Sequence, residues 1–222
     1  MKSLLAIFTI FAAAAFAVAQ NEQAPILEKE IVYKDWTYRD IRTGEDLNLR
    51  KFTEGKKLTM VVYFAPWCSN WKHDAPILQR FYDKYQSKGL GIVAIGSYDP
   101  VPAMRSNLDA LKITFPAVYE SESRADKQKT LHYQYRRFTG DPRGWGSPWY
   151  IFLMPATMEL KGDILTRRTF IINGEVIEAE GEKFIREKLG LAPTGSVVGP
   201  SGKKAAIEVC EPEMKIADLK RP

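Results

Sequence analysis

The sequence predicts an α/β protein, a three-layer sandwich with a central mixed β-sheet that is followed by a flexible C-terminal tail. Two continuous apolar runs, Leu58 to Phe64 and Gly91 to Ser97, are typical of strands covered on both faces. Between them, apolar residues recur at helical spacing from Trp71 to Tyr85, and Lys88-Gly89 is a helix-stop signal. Alternation of buried strands with helices indicates parallel strands joined by crossover helices.

The other predicted elements follow in chain order. They are two short β-prone runs between Ile31 and Leu49 around the turn Thr43-Gly44, a helix from Pro102 to Lys112, a strand from Ala117 to Tyr119, a polar helix from Arg124 to Phe138, a strand from Trp149 to Leu153, a hairpin with strands Thr169 to Ile172 and Glu175 to Ala179 around Asn173-Gly174, and a helix from Glu182 to Leu189. The later strands and the hairpin make the predicted sheet a mixed one.

From its N-terminus, the chain is predicted to consist of a signal peptide, a leader, one domain and a tail. Lys2, the apolar stretch from Leu4 to Val18 and the small residues up to Ala19 predict a signal peptide over 1–19, cleaved before Gln20. An uncleaved membrane anchor is the alternative, but the run is short for a bilayer span. A loose leader (20–30), a domain (31–190) and a flexible tail (191–222) follow. We therefore expect an extracytoplasmic protein, periplasmic or secreted, without a stable membrane span after cleavage.

Composition excludes several classes of function. With 45% hydrophobic and 27% charged residues in 222, the chain is expected to fold rather than to be disordered. Two cysteines and two histidines are too few for a disulfide scaffold, a multi-cysteine zinc site or a multi-histidine centre, so no metal and no cofactor is predicted. The net charge of +5 comes from mixed acidic and basic residues, which does not favour nucleic-acid binding.

The candidate catalytic residue is Cys68, in the segment that links the first buried strand to the long helix. This segment reads Phe64-Ala-Pro-Trp-Cys-Ser-Asn-Trp71. A cysteine there lies at a helix N-terminus, where unpaired N–H groups and the helix dipole favour an anion. The thiolate is the nucleophile in disulfide exchange, so the position predicts a reactive thiol. The alternative is that Cys68 has no chemical role.

From Trp36 to Gly190 the chain resembles the thioredoxin superfamily, and most closely its TlpA/ResA-like extracytoplasmic branch. The resemblance is carried by Gly44 to Phe52, Trp67-Cys68, Pro76, Lys88-Gly89-Leu90, Ile113-Thr-Phe-Pro116 and Gly-Ser-Pro148, in that order. It implies a thioredoxin-like fold and disulfide exchange with protein or peptide substrates. In the family a second cysteine follows the first after two residues and releases the substrate, but here that residue is Trp71. A mixed disulfide on Cys68 would therefore need another thiol.

The resemblance also implies a cis proline opposite Cys68, whose neighbouring backbone pairs with an extended peptide. Ser147-Pro148, just before an apolar strand, fits this role, although an X-Pro bond that starts a strand is usually trans. Thr169 to Asn173 also resembles the strand after the family's cis proline, but Arg168 stands in the proline's place. We therefore expect the cis bond at Pro148.

Four tryptophans lie in the two segments that this fold would bring together: Trp67, Trp71, Trp145 and Trp149. They are expected either to line an aromatic, peptide-binding cleft around Cys68 or to pack in the core. Of the two histidines, His73 is expected to point away from the thiol and His132 to be structural or exposed. The pairs Arg136-Arg137 and Arg167-Arg168 are expected to be solvated charge.

Three functions remain open. The first is a thiol–disulfide oxidoreductase or isomerase with Cys68 as its single site thiol, resolved by an external thiol reductant or by Cys210 in the tail. The second is a non-catalytic peptide- or protein-binding module of the same fold. The third is a peroxiredoxin-like peroxidase, which is disfavoured because such enzymes carry Thr or Ser three residues before the reactive cysteine and this chain has Ala65.

Overall fold

A computed structural model describes residues 22–192, and all structural statements below concern that part of the chain. The strands are β1 (Gln23–Ala24), β2 (Leu27–Lys34), β3 (Thr37–Asp40), β4 (Asp46–Asn48), β5 (Leu58–Phe64), β6 (Leu90–Gly96), β7 (Ala117–Tyr119), β8 (Trp149–Leu153), β9 (Ile164–Ile172) and β10 (Glu175–Val176). The α-helices are α1 (Leu49–Thr53), α2 (Ser69–Tyr85), α3 (Val101–Ala110), α4 (Leu131–Thr139) and α5 (Glu178–Lys188). No helix among the described residues is both long enough and apolar enough to cross a membrane.

Eight strands form one mixed sheet in the order β2-β9-β8-β5-β6-β7-β3-β4. Strands β5, β6 and β7 are parallel to one another, with Val62 opposite Ala94 and Ile95 opposite Val118. Strand β8 runs antiparallel to β5 on its other side. Every residue of β5 and β6 is buried, as their continuous apolar sequences predict. The predicted fold class, an α/β sandwich around a mixed sheet, is confirmed.

The sheet separates two apolar cores, which makes the three layers. On one face, Met60 and Val62 of β5 pack with the apolar faces of α2, α3 and α5. On the other face, Val61 and Tyr63 pack with residues of α1, α4 and β2. Alternate residues of β5 therefore serve opposite cores, because successive side chains of a strand point to opposite faces.

The predicted leader over 20–30 is partly wrong, because regular structure begins before Ile31. Strand β2 starts at Leu27 and pairs antiparallel with β9, and β1 pairs with β10. The sequence looked loose because Glu28, Lys29 and Glu30 are mostly solvent-facing in this edge strand, whereas Ile31 and Tyr33 are buried. The sequence of an edge strand with polar, solvent-facing residues therefore lacks the apolar pattern from which a strand is predicted.

The hairpin predicted at Asn173-Gly174 is also wrong, since β10 pairs in parallel with β1 rather than with β9. A two-residue hairpin of this sequence needs positive φ at both turn residues. Neither residue has a positive φ. Instead, the Asn173 side chain bonds the indole of Trp149 and the backbone of Thr139, which fixes the chain as it leaves the sheet.

The polar helix predicted from Arg124 to Phe138 is two elements, a 3-10 helix (Arg124–Lys129) and α4. Thr130 separates them because its backbone is extended (ψ 147°) and its hydroxyl accepts a hydrogen bond from the Tyr133 N–H at 3.1 Å. A threonine in this geometry starts a new helix. The hairpin around Thr43-Gly44 is confirmed as β3–β4. The signal segment, the tail and Cys210 lie outside the described residues.

Candidate active site

Cys68 lies directly before α2, at the carboxyl end of the central strand β5. Its backbone is extended (φ −74°, ψ 127°), it is the N-cap residue of the helix, and no side chain caps that end. Among the described residues Cys68 has no disulfide partner, and its side chain is partly exposed. Cys68 therefore lies at a helix N-terminus, the position at which the sequence predicts it.

A second loop meets Cys68 at the peptide bond Ser147–Pro148, which is cis, as expected. The Cys68 Sγ donates a hydrogen bond to the Ser147 carbonyl oxygen at 3.0 Å. The Ser147 hydroxyl in turn accepts a bond from the Ala65 N–H at 2.9 Å. Ser147 and Pro148 are both buried. The two bonds connect the loop between α4 and β8 (residues 140–148, the proline loop) to the loop between β5 and α2 (residues 65–68).

The four tryptophans divide into two pairs. Trp67 and Trp145 are partly exposed beside Cys68, with ring centroids 5.2 Å apart in an edge-to-face arrangement. Trp71 and Trp149 are fully buried, and their indole N–H groups bond Asn107 and Asn173. The expectation that Trp71 and Trp149 line a cleft is corrected, because neither has exposed surface to offer a ligand.

Two basic side chains cover the exposed tryptophans. The Arg124 guanidinium lies 4.7 Å from the Trp67 ring centroid, and the Lys127 ammonium lies 4.5 Å from that of Trp145. These distances are typical of cation–π contacts. The Trp67 Nε1 is itself buried and has no hydrogen-bond partner among the described residues. The surface beside Cys68 is therefore aromatic and positively charged, and the unpaired Trp67 N–H lies beneath it.

A buried arginine supports the proline loop, which corrects the prediction of solvated charge at this position. Arg136 of α4 is only 1% exposed, so it is not the solvated charge that was predicted. Its Nε donates to Asp141 at 2.9 Å, its Nη1 to the Trp145 carbonyl at 2.6 Å, and its Nη2 to the Arg143 carbonyl. One guanidinium thus fixes three points of the loop that leads to Pro148.

Gly146 is required at its position by this same arginine. Its φ is +58°, a region that favours glycine, and a Cβ there would lie 1.7 Å from the Arg136 Nε. Asp141 completes the support by bonding both Arg136 and Arg143. Burial alone would raise the pKa of Asp141, but the hydrogen bonds from the two arginines outweigh it and hold this pKa below its ordinary value. The only sequence signal was a Gly-rich loop with an aspartate at its start.

His132 lies inside the protein beneath the same loop, which agrees with the structural role expected of it. Its Nδ1 lies 2.8 Å from the Tyr98 hydroxyl and its Nε2 lies 3.2 Å from the Gly146 carbonyl oxygen. Burial, together with the nearby charge of Arg136, holds the pKa of His132 well below its ordinary value. A neutral ring that donates from Nε2 to the carbonyl and accepts from the tyrosine satisfies both contacts.

His73 is 52% exposed and is directed at two carboxylates rather than at the thiol. Its Nδ1 lies 3.0 Å from the Asp74 Oδ1 and 3.8 Å from the Glu175 Oε2. Asp74 is fully buried, and its other oxygen accepts hydrogen bonds from the Val176 N–H at 2.8 Å and from the Tyr150 hydroxyl. Burial raises the pKa of Asp74 despite these bonds. Arg168, the alternative location for the cis proline, forms an exposed ion pair with Glu28.

A cysteine at the start of a helix, opposite a cis proline and at the end of the central strand of a mixed sheet, defines a thioredoxin-like protein. Solved structures agree with this fold. A secreted thiol-disulfide isomerase from Corynebacterium glutamicum aligns with a TM-score of 0.55 at 13% identity, covering 83% of this chain and 98% of that one. A thiol:disulfide interchange protein of the thioredoxin family from Chlorobium tepidum TLS aligns with a TM-score of 0.52 at 16% identity, covering 73% and 98%.

Within that class, the chain belongs to the AhpC/TSA family, which it matches over residues 31–178. Among curated proteins, protein disulfide-isomerase A2 is similar over 99 residues, at 30% identity in Pongo abelii and 29% in Homo sapiens. The matched stretch is 44% of this chain and 18% of each of those proteins, so the chain corresponds to less than a fifth of their length.

Proposed function

We propose that this protein is a thiol–disulfide exchange protein, an oxidoreductase or isomerase, whose nucleophile is Cys68. The observation that carries the proposal is the contact between the Cys68 Sγ and the carbonyl of Ser147, at 3.0 Å and next to the cis bond. It holds a partly exposed sulfur at the N-terminus of α2, beside the loop that contains the cis bond. The names of the structures with the same fold are consistent with this chemistry.

In the proposed reaction the Cys68 thiolate attacks one sulfur of a substrate disulfide. The substrate S–S bond breaks, its second sulfur leaves as a thiolate, and a mixed disulfide joins Cys68 to the substrate. The released thiolate takes up a proton from solvent. A second thiolate then attacks the substrate sulfur of the mixed disulfide and restores the Cys68 thiolate. If the resolving thiol belongs to another molecule, the substrate leaves joined to it by a disulfide. If the resolving thiol belongs to the substrate, the substrate leaves with a rearranged disulfide.

The resolving thiol must come from outside the helix start, because the residue three positions after Cys68 is the buried Trp71. An external thiol reductant is the proposed source. Cys210, outside the described residues, is the second proposed source; it would instead attack the Cys68 sulfur, which releases the substrate as a thiolate and leaves a Cys68–Cys210 disulfide for an external thiol to reduce. Protein or peptide disulfides are the proposed substrates, and Trp67 and Trp145 are the proposed contact surface for the peptide around Ser147 and Pro148. The apolar stretch over residues 4–18 supports an extracytoplasmic site of action.

The second candidate function is a peptide-binding module without turnover. The partly exposed pair Trp67 and Trp145 favours it, because an aromatic surface can hold a peptide without any reaction at the thiol. Membership of the AhpC/TSA family keeps peroxide reduction as an outcome to be measured. Ala65 has no hydroxyl to orient a peroxide, and its N–H bonds Ser147.

The test is to mix the reduced protein with a disulfide-bonded peptide, stop the thiol exchange with acid and measure the mass of the protein by mass spectrometry. The protein carries Cys210→Ser, so that Cys68 is its only thiol. A mixed disulfide should accumulate, and added glutathione should then release the peptide and permit repeated turnover. Cys68→Ser should form no adduct. Peptide binding without an adduct would replace the proposal with the binding module, and rapid loss of hydrogen peroxide would replace it with the peroxidase.

A further inference from the structure

Three side chains that can ligate a metal ion converge where α2 passes β10. They are His73 and Asp74 of α2 and Glu175 of β10, and one ligand atom from each lies within 4.8 Å of the other two. The His73 Nδ1 is 3.0 Å from the Asp74 Oδ1 and 3.8 Å from the Glu175 Oε2. None of the three makes a hydrogen bond with Cys68, so this cluster is separate from the proposed thiol chemistry.

Among the three side chains, Glu175 has a largely buried carboxylate for which the described residues provide no hydrogen-bond donor. Its side chain is 9% exposed, and among the described residues no donor lies within hydrogen-bonding distance of its carboxylate. The His73 Nδ1 lies 3.8 Å from its Oε2. Burial and the neighbouring Asp74 raise the pKa of Glu175. A buried carboxylate normally has hydrogen bonds, an ion-pair partner or a metal ion to offset the loss of water.

Asp74 is positioned to leave one oxygen for a ligand. Its Oδ2 is occupied by the Val176 N–H and the Tyr150 hydroxyl, which fixes the rotation of the carboxylate. Its Oδ1 faces His73. Outer hydrogen bonds of this kind orient the ligands of metal sites. The exposed His73 leaves the outer side of the cluster open to water.

We propose that His73, Asp74 and Glu175 bind one divalent transition-metal ion of the Zn²⁺ type, with a remaining coordination position for water. For metal–ligand distances of about 2.0–2.2 Å, ligand atoms around a tetrahedral ion lie about 3.4 Å apart, and the observed 3.0 Å and 3.8 Å bracket that value. The imidazole favours Zn²⁺, Co²⁺ or Ni²⁺ over Mg²⁺ and Ca²⁺. On binding, the metal takes the Nδ1 lone pair of His73, whose proton then resides on Nε2.

The test is calorimetric titration of Zn²⁺ into untagged protein in which Cys68→Ser and Cys210→Ser remove both thiols. One ion should bind per chain. His73→Ala, chosen because this ring is half exposed, should weaken binding at least about tenfold, and Glu175→Gln should do the same with nearly unchanged shape. Glu178→Gln is the matched control, an exposed carboxylate in the neighbouring helix that is paired with Arg80, and should bind as the parent does.

Cobalt provides a second readout in the same thiol-free protein. Co²⁺ should produce visible absorption bands that saturate at one equivalent and that Zn²⁺ abolishes by competition. Circular dichroism verifies that each variant is folded, and Glu175→Gln decides the question if His73→Ala is not. Absence of saturable Zn²⁺ binding in the parent, or equal affinity in the folded ligand variants, would overturn the proposal.

Discussion

Replacing Trp71 by cysteine restores the spacing of a two-cysteine motif, but the structure predicts a large loss of stability. Trp71 has no exposed surface, packs against Phe64 with ring centroids 4.5 Å apart, and donates its indole N–H to Asn107 at 2.8 Å. Removing a buried tryptophan ring costs about 3–5 kcal/mol, and the loss of one donor for the half-buried Asn107 amide oxygen falls within that range. We expect Trp71→Cys to lower the free energy of unfolding by about 4 kcal/mol.

The assay is equilibrium unfolding in urea under reducing conditions, with tryptophan-independent detection by circular dichroism. With an m-value of about 2 kcal/mol per molar urea, the midpoint should fall by about 2 M at an unchanged slope. Trp71→Phe, which keeps an aromatic ring against Phe64 and loses only the N–H and one ring, should lose about half as much. A Trp71→Cys midpoint within about 0.5 M of the parent would refute the reasoning, because it would mean that the indole is not a core side chain.

Three further predictions concern the proline loop and the surface beside the thiol. Gly146→Ala should lower the free energy of unfolding in urea by about 3 kcal/mol or more, because a Cβ would overlap the buried Arg136 guanidinium. The control Gly144→Ala should leave the free energy of unfolding nearly unchanged, because no atom lies within 4 Å of a Cβ placed there. Equal effects of the two variants would contradict this prediction. The pKa of His132 lies well below 6.5 when folded, through burial and then a neighbouring arginine charge, so the unfolded chain binds the extra proton. The free energy of unfolding should therefore fall as pH decreases below about 6.5, and should fall less in His132→Gln; identical pH profiles would exclude this contribution. Trp67→Ala should slow adduct formation between Cys68 and a peptide disulfide more than with glutathione disulfide, and equal slowing would remove Trp67 from the peptide surface.

The parts of the fold that could be predicted from sequence are those set by local pattern. Strand β5 can be predicted because all of its residues except Thr59 are apolar, and α2 because its apolar residues recur at helical spacing. Cys68 could be placed because a strand and a helix of such clear pattern fix the loop between them. Pro148 could be selected because the resemblance to the thioredoxin superfamily implies a cis proline, and Ser147-Pro148 directly precedes an apolar strand.

The features that could not be predicted depend on partners distant in the chain. Nothing beside Arg136 in the sequence indicates that Asp141 and a glycine will enclose its charge, since arginine is usually solvated. Asn173 looked like a turn residue because its side chain partners, Trp149 and Thr139, come from other elements. Glu175 likewise joins His73 only through the packing of β10 against α2, so the metal site proposed here has no sequence motif.

The pairing of β2 with β9 sets the order in which the molecule can be completed. Leu27 lies opposite Ile171, so the first long strand of the described chain is matched to one of the last. A ribosome has to finish β9 before this edge of the sheet can close, and such distant pairings are slow to form. Until then β2 is an unpaired strand whose polar residues, Glu28, Lys29 and Glu30, keep it from associating with other chains. This edge of the sheet therefore cannot be completed until residue 172 of the 222 has been synthesised.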